Sequence, residues 1–95
     1  MALKQDFAAQ VKAQTDIWRA QIKDYEERVE QAGAKAQGDY KNAVAEMETK
    51  AEDARKLFER VQAAKDAAWQ DMQSGTQKAF VELQRGWADA LSRFR

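Results

Sequence analysis

Carboxylates, hydroxyls and lysines are the main side chains in this sequence that could serve as nucleophile, base or metal ligand, because cysteine and histidine are both absent. Without them, the usual activated-nucleophile dyads and triads cannot be assembled, and the common thiolate and imidazole ligands for zinc or haem are missing. Ser74 and Ser92 stand apart from any base that the sequence can assign. Glu26, Glu27 and Glu30 are spaced so that two carboxylates can share one helix face. Carboxylate metal sites in helical bundles use that arrangement, but they also draw on Glu-x-x-His, and this chain has none. A solvated helix face accounts for these residues, and for Glu48, Glu52 and Asp53. The glycines form no phosphate-cradling loop, since Gly33 and Gly38 are flanked by helix formers and follow no strand. The expectation is a protein that is not an enzyme, with no catalytic residue, no metal and no cofactor.

The composition describes the elements that would have to carry any function. A chain of 95 residues suits one small domain. Hydrophobic residues make up 44%, much of it alanine, and the mean hydropathy is −0.83, so a thin apolar seam fits better than a deep core. Charged residues reach 34% and proline is absent, the makeup of long helices or coiled coils. The net charge of zero removes the electrostatic footprint of nonspecific nucleic-acid binding, so no nucleic-acid partner is expected. No apolar run approaches the ~20 residues that span a bilayer, and the first residues lack the apolar core of a signal peptide. A cytoplasmic location is expected.

Periodicity predicts the fold class. Every eleventh residue from Leu3 reads Leu3, Gln14, Tyr25, Ala36, Met47, Phe58, Trp69, Phe80 and Leu91. A second track, Phe7, Trp18, Val29, Tyr40 and Ala51, lies four residues further on, and a third holds Val11, Ile22 and Val44. In the second half the companions become Val61, Met72, Leu83 and Phe94, with Trp87 between the last two. Eleven residues over three turns is about 3.67 per turn, so the seam drifts slowly around a helix and predicts straight or gently right-handed packing. The class is all-α: long amphipathic helices forming a helical hairpin or coiled-coil bundle, and an oligomer. Acid-first pairs at i and i+4, namely Asp24 with Arg28, Glu46 with Lys50, Glu52 with Lys56 and Asp89 with Arg93, would add local helix support.

Unbroken, the chain would be a helix of roughly 140 Å. Three places could interrupt it: residues 33–38 with two glycines, Ser74-Gly75-Thr76, and residues 62–66, where Asp66 could cap a new helix. The reading favours one long helix over about 3–62, bent near 33–38, and a return helix over about 66–94. The return helix would cover half of the first, leaving Phe7, Val11, Trp18, Ile22 and Tyr25 bare, and a bare stripe marks an association surface. A two-fold antiparallel dimer would cover it. Charge is compatible with that: residues 1–23 carry four basic and two acidic side chains, residues 76–95 the same, and the stretch between them is acidic.

The interface candidates are therefore Phe7, Val11, Trp18, Ile22, Tyr25, Val29, Trp69, Phe80, Leu83, Trp87, Leu91 and Phe94. For the aromatic ones, core packing against small residues such as Ala36, Ala51 and Ala54 is the favoured reading, with anchoring of a different protein by Trp18 and Trp87 as the alternative. In residues 76–95, Phe80, Leu83, Trp87, Leu91 and Phe94 face one way, as in a helix lying at a membrane surface, although Glu82 and Asp89 dilute the basic charge.

At Asp16-Ile17-Trp18-Arg19-Ala20-Gln21-Ile22, and again from Ala67-Ala68-Trp69 through Met72 and Gly75 to Phe80, the chain resembles a family of short bacterial proteins described as coiled-coil or stress-response proteins. Their carboxy-terminal half has a Trp-x-x-Leu-x-x-Gly pattern; here Met72 stands in the leucine position, and Gly33 and Gly38 are additional. The resemblance implies a cytoplasmic helical protein with no catalytic residues. The composition is also similar to the eleven-residue repeats of late-embryogenesis proteins and exchangeable apolipoproteins. Together these readings predict a non-enzymatic helical interaction or structural module that is stress-related and pairs with itself or with another helical protein. The alternative is a membrane-surface or desiccation-protective amphipathic protein.

Overall fold

The computed structural model describes residues 3–94 as three helices: α1 (Leu3–Gln31), α2 (Ala34–Ala63) and α3 (Asp66–Leu91). No strand occurs among the described residues. The bundle runs up, down and up. Lys4 Nζ donates to the Ala64 carbonyl at 2.7 Å at one end of the α1/α2 pair, and Gln37 Nε2 donates to the Val29 carbonyl at 3.3 Å at the other. Arg93 reaches Glu46 across α2 and α3 at 3.0 Å, while Phe7 meets Trp69 and Tyr25 meets Phe94, so α1 and α3 are parallel. The molecule measures 52 × 19 × 16 Å.

The single rod expected over residues 3–62 is two helices, not one. The chain reverses at Ala32 and Gly33, where the sequence suggests only a bend. Gly33 is extended (φ −67°, ψ 160°), a conformation open to any residue, so its part in the turn is its poor helix propensity. Reversal lets the apolar faces of α1 and α2 bury each other, a return that a bend would forfeit. Gly38 and the Ser74-Gly75-Thr76 segment lie inside helices, because burial on both sides outweighs a glycine penalty of about 1 kcal/mol. The second turn falls at Ala64 and Lys65, with Lys65, not Asp66, at the N-cap, and α3 closes at Leu91.

One core runs through all three helices. Small residues line α2 where its neighbours approach, with Ala43, Ala51 and Ala54 buried beside Met47 and Val61. Between α1 and α3 the filling is aromatic, and these two helices approach each other least. The intrahelical ion pairs take a different form from the one expected. Arg55 bridges Glu52 and Glu59 within α2, Lys12 pairs with Asp16, and Glu46 and Arg93 pair across helices.

Candidate interaction surface

The three edges of the bundle differ in chemistry. Charge dominates the α1/α2 edge. Arg19 lies 3.9 Å from Glu52, whose carboxyl is held below its usual value by its hydrogen bond with Arg55. Glu26 and Glu48, which the sequence places on separate charged faces, meet here; burial first, then the hydrogen bond and charge of Glu26, push the Glu48 carboxyl up. The α2/α3 edge carries the Glu46–Arg93 pair, and Lys50 lies across Gly86, where a Cβ would run into its alkyl chain.

The α1/α3 edge covers an aromatic ladder. Phe7 lies 5.5 Å from Trp69 and 5.7 Å edge-on from Phe80. Trp18 is 6.5 Å from Phe80 and stacks on Trp87 at 4.8 Å with 10° between the planes. At the far end Phe94 sits between Tyr25 and Tyr40, 4.5 and 4.6 Å away, and Arg28 lies over the Tyr25 ring. Such ring pairs add about 0.5–1.5 kcal/mol each beyond the area they bury.

This ladder relocates the residues expected at an interface. Phe7, Val11, Trp18, Ile22, Val29, Trp69, Phe80 and Trp87 are buried within the single chain, and Tyr25, Leu83, Leu91 and Phe94 pack against them half-buried. The premise of the antiparallel mate, a first helix left half bare, therefore does not hold: the turn at Gly33 makes three segments of similar length, and α3 covers the stripe on α1. Among the described residues, the large apolar side chains left exposed are two that lie on none of the eleven-residue tracks, Ile17 at 52% and Val81 at 45%. That displacement from the seam was the signal in the sequence: an Ile or Val about 100° off the apolar face of a helix points outward.

The residues tested for chemistry stay apart. Ser92 Oγ donates to the Asp89 carbonyl at 2.6 Å, and Ser74 is exposed in an open surface groove. Among the described residues no three acidic side chains gather as a metal site, and no helix is long and apolar enough to cross a membrane. Among the described residues one buried polar side-chain atom has no hydrogen-bond partner, the indole Nε1 of Trp69. Compared with family models, with characterised proteins and with solved structures, the chain matches none.

Proposed function

We infer that this chain is a non-enzymatic helical module that works by presenting the outer face of α1 and α3 to another protein, in a scaffolding or accessory role. One observation carries the reading: the aromatic seam is used up inside the bundle, while Ile17 and Val81 stay in solvent on the two helices flanking the aromatic ladder. A stress-related, cytoplasmic setting belongs to the same proposal and rests on the resemblance of the Trp18 and Trp69 segments to stress-response proteins. Binding to lipid through residues 76–95 would have to expose Phe80 and Trp87, which are buried against Trp18. That opening would forfeit several kcal/mol of burial.

Site-specific photocrosslinking in the native cell tests the reading. A benzophenone side chain at position 17 or 81 is expected to give discrete protein adducts, whereas one at the exposed α2 position Ala45 gives none. Equal labelling at all three positions, or none at 17 and 81, overturns it.

A further inference from the structure

Ile17 and Val81 sit at almost the same level of the bundle. Trp18 stacks on Trp87 and lies 6.5 Å from Phe80, so the level of residue 17 falls between residues 80 and 87 of α3. Each is near the middle of its helix. Their surroundings differ in sign. On α1 the exposed arc of about 100° that runs from Ile17 round to Asp16 holds the small Ala13 and Ala20 and the acidic Asp6, Asp24 and Glu27, while Arg28 lies about 20° to the other side of Ile17 and leaves the face acidic on balance. On α3, Val81 lies in a shallow groove with Lys78 and Arg85, and Glu82 stands at the edge turned toward α2.

We propose that this face docks a second copy of the chain, related by a two-fold axis parallel to the helices, so that α1 of each copy lies along α3 of the other. Matching levels then bring Ile17 onto the partner's Val81, and Val81 onto the partner's Ile17. Lys78 and Arg85 fall among the acidic residues of the opposite α1. The other face-to-face two-fold axis, running across the helices, would stack α1 on α1 and α3 on α3. It would set the two acidic α1 faces against each other, offset only where Asp6 reaches the partner's Arg28, and bases against bases, and like charges across an interface are costly. Asp16 is free to exchange partners, because its 3.3 Å pair with Lys12 is more than half exposed at both ends and therefore weak. Alanines flanking Ile17 let the helix axes come close, toward the 8 Å end of the packing range. A face of 52 by 19 Å offers at most about 1,000 Å² per copy, enough for the ~800 Å² that a stable partner typically buries. The net charge of zero puts no overall repulsion in the way.

This inference deepens the functional reading above and rests on it. Sedimentation velocity on the purified full chain, from micromolar to several hundred micromolar, is expected to show a reversible species of twice 10.8 kDa. Ile17→Lys and Arg85→Glu should each raise the dimer dissociation constant at least tenfold while the helical circular dichroism is unchanged. Orientation is read separately, since the chain has no cysteine of its own. When Ile17→Cys and Val81→Cys chains are mixed and oxidised, the 17–81 cross-link should dominate over 17–17 and 81–81. A chain that stays at 10.8 kDa throughout, a dimer unmoved by either substitution, or dominant 17–17 links would overturn the proposal. A monomer that still crosslinks to other proteins through positions 17 and 81 overturns only the self-docking and keeps the wider reading.

Discussion

Trp18→Ala is the perturbation that most directly separates a core closed within one chain from a seam waiting for a partner. Trp18 is 2% exposed, stacks on Trp87 at 4.8 Å and borders Phe80. Removing the indole strips roughly 200 Å² of buried surface, worth about 5 kcal/mol at 25 cal/mol/Å². Partial collapse of the site and the surface that alanine still buries bring the expected loss to about 3–5 kcal/mol. A chain of 95 residues has roughly 5–14 kcal/mol of stability in total, so the variant sits near the edge of folding. Its neighbour is the control: Ile17 is half exposed in the single chain, and at the dilute end of the range, where the chain is monomeric, Ile17→Ala should change stability by no more than about 0.5 kcal/mol. Urea unfolding followed at 222 nm measures both, and repeating it over a hundredfold range of protein concentration supplies the decisive comparison. An intrachain core makes the cost of Trp18→Ala independent of concentration. A cost below about 1 kcal/mol, or one that shrinks steadily on dilution, would refute the reasoning, because it would mean that Trp18 is buried by another chain.

Four further substitutions follow from particular contacts. Gly75→Ala should stabilise the protein by about 0.5–1 kcal/mol, since nothing lies within 4 Å of a Cβ there and alanine is the better helix former, whereas Gly86→Ala should gain less because it displaces Lys50; thermal unfolding ranks the pair. Glu48 has a folded-state pKa raised above 4.5, so its contribution is present at low pH and lost as pH rises through the folded value. Glu48→Gln should therefore stabilise the chain at pH 7, by no more than about 0.5 kcal/mol at so exposed a site, and the gain should vanish at pH 3.5 in paired urea titrations. Trp69→Phe removes a buried donor that has no partner, so it should cost under about 1 kcal/mol despite the lost ring, and a larger loss in urea would mean that the indole N–H is satisfied after all.

Some of this was legible in the residues alone. The spacing of Trp69, Phe80 and Leu91, and of Phe7, Trp18 and Val29, specified helices, because no strand can place residues eleven apart on one side. The break near residues 62–66 could be seen in the loss of large apolar side chains. Glu46 and Arg93 were visible as charges, but their pairing with each other was not, since Glu46 lies on α2 and Arg93 just beyond the end of α3. The meeting of Glu26 with Glu48 is of the same kind.

Composition thus excluded histidine and cysteine chemistry, and local periodicity determined the helical class and the identity of the side chains that must leave water. Tertiary structure decided what covers them. A seam states only that a face must be buried, and hydrophobic burial carries no address: Trp18 is equally satisfied by a partner's ring or by Trp87 of its own chain. The turn at Gly33 made that choice, since reversing there brings α3 back alongside α1 and closes the aromatic ladder within one molecule. Ile17 and Val81 acquired their significance only then, as the large apolar side chains that this closure leaves in solvent among the described residues.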